Sequence, residues 1–354
     1  MKLRALYLIA LLPFFSCSRQ LLNRNSSKTE SSKNTPMAVI FETDMGNDVD
    51  DVLALDMLYK YQEAGKIKLL AISTNKDDPF SAPFLNVMNT WYGYQNIPIG
   101  TVSDGYDCTK YVNYAKEVVE LKDKNGKPVF PQTPTKYTDA VKLYRRILSQ
   151  QPDHSVTVIS VGFLTNLARL LNSPADNYSK LTGKELVAKK IKNLFTMAGC
   201  FSSKPHREFN IIYDIPSAEI VYREWPSPIV NAPWEIGDKV RFPGKTIVDG
   251  FKWATNNPLV TAYSVYKPMP YDRPCWDLIT VLTAIEPDNT QYFTYSAPGE
   301  IRVKNKGDNK DLTIFIPTAN GIHRNVSANA QQAENMKKRF VEVISQCPKN
   351  YKNK

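Results

Sequence analysis

Carboxylates are concentrated in one short stretch of this chain. The segment E-T-D-M-G-N-D-V-D-D at 42–51 contains five acidic side chains, Glu42, Asp44, Asp48, Asp50 and Asp51. Carboxylates this close repel one another, so some must bind protons unless a cation neutralises them. Oxygen ligands on a turn suit a hard cation, Ca²⁺ before Mg²⁺. Helix capping is the alternative and explains Asp50 and Asp51, but not all five acids. The stretch therefore predicts a metal site.

The residues on either side indicate how this stretch is held. Residues 38–41 form an apolar run of strand type, and apolar residues recur at helical spacing over 52–58. A second apolar run, at 66–74, has the character of another buried strand. Strand, helix and strand make a βαβ unit, which implies a parallel sheet. Because ligands bind at the carboxyl ends of such strands, the acids lie where a site is expected.

The same alternation continues along the 354 residues, of which 42% are hydrophobic, enough for a large core. The patterns predict further strands at 97–100, 156–161 and 191–198, and helices at 81–94, 137–149, 217–224, 277–284 and 331–345. Residues 104–136 are polar and predict an insertion or lid, whereas 291–316 predicts a β-rich end with a turn near Gly307. We expect one α/β domain over 37–350, with a mostly parallel sheet, a Rossmann-like core and flanking helices.

Another turn motif follows the strand at 156–161. Its sequence is V-G-F-L-T-N-L-A at 161–168. Gly162 allows the backbone to turn sharply, and Thr165 or Asn166 is expected to cap the helix that follows. Alone, this pattern indicates an ordinary strand–helix turn.

Together these motifs resemble a known family. D-M-G-N-D-V-D-D-V-L-A-L at 44–55, G-F-L-T-N-L-A at 162–168 and E-F-N at 208–210 are similar to segments of the inosine–uridine-preferring nucleoside hydrolases. The resemblance implies calcium-dependent hydrolysis of the N-glycosidic bond of ribonucleosides, giving ribose and free base. The substrate would be a small-molecule nucleoside.

The resemblance also implies roles for individual residues. Asp44 would be the general base. The implied calcium ligands are Asp44, Asp50, Asp51, the Val161 carbonyl and Asp277, and the implied substrate-binding residues are Asp50, Asn75, Glu208, Asn210 and Trp276. Carboxylate and amide groups suit the hydroxyls of a ribose. Asp277, taken alone, would be a helix cap, and Asp214 resembles a structural helix start.

The chain departs from the family pattern at three positions. Glu42 stands where the family has Asp, Ser202 where it usually has Asn, and Trp276 where a proton-donating His often stands. Trp276 can stack on a base but cannot donate the proton. Of the three histidines, His154 is expected at the surface, and His206 and His323 are the candidate donors. These departures favour the alternative function, a non-catalytic sugar- or nucleoside-binding lipoprotein with the same fold.

The N-terminus predicts export. Lys2 and Arg4 precede an apolar run at 5–15, which is typical of a secretory signal and too short to span a membrane. The signal ends at Ser16 and Cys17 and resembles that of a bacterial lipoprotein, so residues 1–17 would be a signal with lipidation at Cys17. Ordinary cleavage near Ser16 is the alternative. Residues 18–36 then form a flexible tether, and we expect a periplasmic or outer-membrane-anchored protein that touches the membrane only through the lipid.

The net charge and the cysteines indicate less about function than the motifs do. The net charge is +10, but the basic residues are scattered apart from 337–339, which argues against nucleic-acid binding. Beyond Cys17, an exported protein could form up to two disulfides from Cys108, Cys200, Cys275 and Cys347, with the pairing open. Cys200 and Cys275 lie beside proposed site residues, so either could instead be a pocket thiol. Whether the chain forms a homo-oligomer is also left open.

Overall fold

A computed structural model of the chain describes residues 35–107, 111–203, 207–304, 312–349 and 351. These residues belong to one unit, Thr35–Lys354, and the predicted single α/β domain is confirmed. The predicted signal at 1–17, its Cys17 and tether residues 18–34 lie outside the described residues. Among the described helices, none is both long enough and apolar enough to cross a membrane.

Strands and helices alternate through most of the described chain. The strands are β1 (Met37–Thr43), β2 (Ile67–Thr74), β3 (Ile99–Thr101), β4 (Thr138–Asp139), β5 (Val156–Ser160), β6 (Ile191–Met197), β7 (Ile229–Ala232), β8 (Arg241–Phe242), β9 (Arg273–Pro274), β10 (Thr294–Tyr295), β11 (Gly299–Val303), β12 (Thr313–Pro317) and β13 (His323–Ser327). The helices are α1 (Asp50–Glu63), α2 (Ser81–Tyr92), α3 (Tyr114–Glu120), α4 (Ala140–Ser149), α5 (Thr165–Leu171), α6 (Gly183–Lys190), α7 (Phe209–Ile212), α8 (Ile215–Glu224), α9 (Trp234–Gly237), α10 (Gly244–Gly250), α11 (Pro258–Tyr266), α12 (Trp276–Ile285) and α13 (Ala330–Ile344).

One large sheet organises these elements. Its strand order is β12-β11-β13-β7-β6-β5-β1-β2-β3-β4, with β10 paired to β13. The strands from β13 to β4 are parallel to their neighbours, and β10, β11 and β12 pair antiparallel. β1 lies inside the sheet between β5 and β2, so its carboxyl end opens onto the middle of the sheet edge where a ligand is expected.

Two apolar cores cover the two faces of the sheet. Successive side chains of a strand point to opposite faces: Val39 and Phe41 of β1 belong to the core that contains α1 and α12, and Ile40 belongs to the core that contains α4 and α5. Helix α1 is buried along nearly its whole length. The first turn of α1 is therefore fixed in space by packing, and the acids it carries are fixed with it.

Several predicted elements need correction. The segment 104–136 is not merely polar, because α3 lies in it and buries Tyr114, Ala115 and Val118. The predicted helix at 137–149 begins at Ala140, after the short strand β4. The predicted β-rich end is confirmed by the antiparallel β11–β12 pair, but its turn near Gly307 lies outside the described residues.

The expected cap of α5 is wrong. Thr165 and Asn166 are the first residues of α5, not its cap, and Leu164 stands at that position without a side-chain bond. The Thr165 hydroxyl donates instead to Asp214, and the Asn166 amide donates to the Thr74 carbonyl at 2.9 Å. Both side chains therefore tie α5 to neighbouring elements. Asp214 does start a helix as predicted, accepting from the Ser217 N–H at 3.2 Å.

Candidate active site

Residues 44–51, which join β1 to α1, form the wall of a cavity of about 440 Å³. We call these residues the acidic loop. The residues predicted for the site that line this cavity come from four separate segments of the chain. They are Asp44, Asp50, Asp51, Val161, Glu208, Asn210, Trp276 and Asp277.

The acids at the start of α1 are not helix caps. Val49 is the cap residue and makes no side-chain bond, while Asp50 and Asp51 lie in the first turn with their side chains buried. Asp51 accepts from the Thr43 hydroxyl with Oδ1, and its Oδ2 has no hydrogen-bond partner among the described residues. Asp50 Oδ2 accepts from the Asp277 N–H at 3.1 Å. That bond joins the first turns of α1 and α12.

Burial makes these carboxyl groups hard to ionise. It raises the pKa of Asp44 to about 6, against a lowering by Lys76. It also raises the pKa of Asp50, Asp51 and Asp277 well above the usual value, and repulsion between neighbouring carboxylates adds to the effect. The acids therefore retain protons unless a cation replaces them.

The donor set fits a hard cation by its chemistry. The donors are oxygen atoms, and the buried Asp51 Oδ2 has no other partner. Among the described residues, however, no three Asp, Glu, His or Cys side chains are gathered at metal-ligand spacing. The carboxylates share one cavity without forming a closed coordination shell, and the calcium ligands remain a prediction.

Gly162 brings the β5–α5 turn against the acidic loop. A Cβ atom at this position would lie 2.7 Å from the Asp44 nitrogen and 2.4 Å from Asn75 Oδ1, so only glycine fits. The close approach places the Val161 backbone at the cavity. The Asn210 Nδ2 lies 3.4 Å from the Val161 carbonyl and donates to the Met197 carbonyl at 3.0 Å.

Glu208 has a structural role that the sequence did not reveal. Its carboxylate accepts from the N–H groups of Gly199 and Asn210, each at 2.8 Å, and of Ile211 at 3.1 Å. Burial raises the pKa of Glu208 to about 7, against these bonds. The side chain thus caps α7 and also faces the cavity, which is compatible with its predicted contact to a sugar hydroxyl.

Asn75 does not line the cavity. It is fully buried behind Gly162, and neither side-chain amide atom has a hydrogen-bond partner among the described residues. Glu42 also lies behind the cavity, where it accepts from the Tyr144 hydroxyl at 2.7 Å and where burial raises its pKa to about 7. Glu42 therefore supports β1 and does not face the cavity.

One end of the cavity is aromatic. Trp276 donates its Nε1 hydrogen to the Trp234 carbonyl at 2.9 Å, and the two indole rings stack with centroids 6.5 Å apart. The Arg273 guanidinium lies 5.1 Å from the Trp276 ring centroid and forms an ion pair with Asp48. Burial disfavours ionisation of Asp48, but Arg273 outweighs it and the pKa of Asp48 is lowered.

The histidines give no donor at this cavity within the described residues. His154 is exposed, as predicted. His323 lies on β13, where its Nδ1 accepts from the Ile301 N–H at 2.9 Å and burial lowers its pKa to about 4. It lines a different cavity, so its assignment as a candidate donor is wrong. His206 lies outside the described residues.

The sequence left open whether the cysteines form disulfides or whether Cys200 or Cys275 is a pocket thiol. Cys275 and Cys347 form no disulfide within the part of the chain that the structure describes. Cys200 and Cys275 are buried and do not line the cavity. Cys108 lies outside the described residues.

Two residues next to the acidic loop were missed. Lys76 is fully buried, and its Nζ donates to Asn47 Oδ1 at 2.6 Å. Tyr114 of α3 reaches the loop with its hydroxyl. Lys76 lies two residues after the end of β2, so its place near the strand end was a usable signal. Tyr114 is distant in sequence and carries no such signal.

Comparisons with known proteins agree with this arrangement. A family model described as inosine-uridine preferring nucleoside hydrolase matches residues 39–343. The pyrimidine-specific ribonucleoside hydrolase RihA of Citrobacter koseri is 32% identical over 131 residues, which is 37% of this chain and 37% of RihA. The chain therefore matches only about a third of the length of that curated relative.

Solved structures share the fold at lower identity. The inosine-uridine preferring nucleoside hydrolase of Bacillus anthracis is 18% identical with a TM-score of 0.64, covering 87% of this chain and 98% of that chain. The purine-preferring ribonucleoside hydrolase of Gardnerella vaginalis is 16% identical with a TM-score of 0.67, again covering 87% and 98%. The matched residues 39–343 include the acidic loop and every cavity segment described above, and the chain belongs to the inosine-uridine preferring nucleoside hydrolase family.

Proposed function

We propose that the protein is a calcium-dependent enzyme that hydrolyses the N-glycosidic bond of ribonucleosides, releasing ribose and the free base. One observation carries the proposal. The acidic loop, the β5–α5 turn, the E-F-N segment and the start of α12 are far apart in sequence, yet they line a single cavity. The cavity thus holds the acids, the amide and the aromatic ring that the reaction needs.

Asp44 is the proposed general base. Asp51, Asp277 and the Val161 carbonyl would hold the ion with Asp44 and Asp50, and bound calcium would lower the pKa of a water molecule and orient it. Asp44 takes a proton from the attacking water as its oxygen bonds to C1′. The bond from C1′ to the base nitrogen breaks and its electron pair leaves with the base. The surrounding carboxylates stabilise the positive charge that develops on the sugar.

Other residues orient the substrate. Asp50, Glu208 and Asn210 face the cavity and supply acceptors and donors for ribose hydroxyls. Asn75 would reach the sugar only across the cavity wall, so we assign it a minor role. Trp276 covers the base, and because its N–H is engaged by Trp234 it does not protonate the base. The base leaves as an anion and takes its proton from solvent or from a donor outside the described residues.

The test is release of free ribose from a panel of purine and pyrimidine nucleosides. We expect turnover of several nucleosides without sharp selectivity for inosine, loss of turnover with a chelator, and recovery when calcium is added back. Addition of magnesium to matched samples decides which ion is used. Binding of nucleosides without any release of ribose would instead establish the non-catalytic binding protein.

We also propose that the protein is exported and carries a lipid on Cys17. The support is the signal-like sequence at 1–17. In a bacterial host, the full chain should label with a radioactive fatty acid and fractionate with membranes, while Cys17→Ser should do neither. Equal labelling of the two proteins would refute lipidation at this position.

A further inference from the structure

The turn at residues 46–48, which is the tip of the acidic loop, is held by hydrogen bonds to Tyr114 of α3. The Tyr114 hydroxyl accepts from the Gly46 N–H at 3.0 Å and donates to the Asp48 carbonyl at 2.9 Å. The Tyr114 N–H donates to the Gly46 carbonyl at 3.0 Å. The first residue of α3 therefore satisfies three backbone groups of the loop.

The surroundings of Tyr114 keep these three backbone groups bonded to it. Its side chain is fully buried, and its ring packs edge-on against Phe84 with centroids 5.5 Å apart. Gly46 has a φ of +131°, and a Cβ atom there would lie 2.8 Å from Lys76 Nζ and 3.3 Å from Asn113 Oδ1. The loop tip is thus pressed against α3 and Lys76, where a peptide group that lost its partner would stay unpaired.

The segment before Tyr114 is bonded to the same loop at Val112, whose carbonyl accepts from Asn47 Nδ2 at 2.9 Å. The next residue, Asn113, donates with Nδ2 to Asp78, outside the loop, at 2.6 Å. Tyr111 and Val112 themselves line the cavity. The start of α3, the loop and the cavity mouth therefore form one hydrogen-bonded unit.

We propose that Tyr114 is a positioning residue that sets the spacing of the acidic loop carboxylates for a shared cation. Asp44 lies on one side of the held turn, and Asp50 and Asp51 lie on the other. Their separation depends on the conformation of the peptide units that Tyr114 holds. The consequence for the cation rests on the proposed function, whereas the hold on the loop does not.

The first test measures how well the acidic loop is protected from exchange when no metal is bound. Tyr114→Phe keeps the ring and removes the hydroxyl. In the presence of a chelator, hydrogen–deuterium exchange should become about tenfold faster in peptides covering the acidic loop, as expected when a buried peptide group is left without its partner. Tyr59→Phe is the matched control, because Tyr59 is also fully buried and its hydroxyl donates to Asn89 at 2.6 Å. It should leave exchange in the acidic loop unchanged.

The second test measures calcium binding. Calcium is titrated against the thermal unfolding midpoint of the wild-type protein and both variants. The calcium concentration for half-maximal stabilisation should rise about tenfold in Tyr114→Phe and remain unchanged in Tyr59→Phe. At saturating calcium, kcat of Tyr114→Phe should return towards the wild-type value, because the bound ion restores the loop. A merely structural defect would not be rescued in this way.

The outcomes separate the two claims. Unchanged exchange in the acidic loop of Tyr114→Phe overturns the hold on the loop. Faster exchange with an unchanged calcium midpoint overturns its role in spacing the carboxylates. A wild-type protein that neither binds calcium nor releases ribose refutes the proposed function. The exchange comparison would still test whether Tyr114 holds the acidic loop.

Discussion

Asp44 is buried and lines the same cavity as the side chains proposed to bind the sugar. It is 5% exposed, its pKa is raised to about 6 by burial, and the positive charge of Lys76 opposes that rise. A carboxyl group with a pKa near the working pH is suited to accept a proton from water. Lys76 therefore helps keep Asp44 ionised in a buried site.

The first prediction concerns this base. Asp44→Asn keeps the shape of the side chain and cannot accept the proton, so kcat should fall by about 10²–10⁴-fold. Circular dichroism should show an unchanged fold. Asp48→Asn, in the same loop, also removes one charge but not the proposed base, and its loss should be much smaller. Near-wild-type turnover by Asp44→Asn would remove that residue from the general-base role.

The second prediction concerns the leaving base. The indole N–H of Trp276 is engaged by Trp234, so Trp276 does not replace the family's donor, and none of the described histidines lines the cavity. The rate should then depend on the leaving group, and p-nitrophenyl riboside should be cleaved at least about 10²-fold faster than inosine, the lower end of typical general-acid contributions. Equal rates for the two substrates would show that a donor exists. His206→Ala would then test the remaining candidate, with His154→Ala as the control.

At the scale of elements, the sequence predicted the part of the fold that local pattern determines. β1, α1, β2 and β5 were predicted correctly because each buries a continuous or periodic apolar pattern. β13 was missed, since H-R-N-V-S is mostly polar and its place beside β7 is set by tertiary pairing. α3 was missed for a similar reason.

The site was predictable to the same extent. Acids that follow a buried strand directly, such as Asp44, could be found because the strand end fixes their place. Tyr114 and Arg273 could not, because they reach the acidic loop from distant segments through contacts that no local pattern encodes. Asn75 shows the opposite error. The family resemblance implied that Asn75 binds substrate, but its side chain lies behind Gly162 and does not line the cavity.

The third prediction concerns two helices that meet at the site. Asp51 lies in the first turn of α1 and Asp277 in the first turn of α12, and the Asp277 N–H donates to Asp50. A cation shared by both helix starts stabilises the native state by mass action. Asp51→Ala and Asp277→Ala should each abolish most of the rise in thermal midpoint that calcium produces. Asp238→Ala, which loses only an exposed pair with Arg241, is the control. A full calcium response in both site variants would contradict the shared site.

At the scale of the whole molecule, several buried acids are harder to ionise in the folded state than in the unfolded chain. Burial raises the pKa of Glu42 and Glu208 to about 7 and that of Asp44 to about 6, from ordinary values of 4.5 and 3.8. Such groups hold protons in the native protein at a pH where the unfolded chain has released them. The metal-free fold therefore depends on protons held by these acids, and of the three only Asp44 would exchange its proton for the proposed cation.

The fourth prediction follows from the sign of these shifts. A raised pKa contributes stability that is present below the unfolded value and is lost as pH rises through the folded value. With a chelator, the free energy of unfolding should therefore fall between pH 5 and pH 8. The part due to Glu42, Asp44 and Glu208 falls from the ordinary pKa values near 4 up to the folded values of about 6–7 and then levels off. Calcium should reduce this fall, because it binds the ionised carboxylates and its affinity rises as they lose protons. Chemical denaturation at each pH measures how steeply the free energy of unfolding falls with pH, and Glu208→Gln should make this fall less steep. Glu286→Gln should not, because Arg339 overcomes the effect of burial and lowers the pKa of Glu286, which titrates below this range. Metal-free stability that is constant or rises from pH 5 to pH 8 would show that these acids are already ionised in the fold.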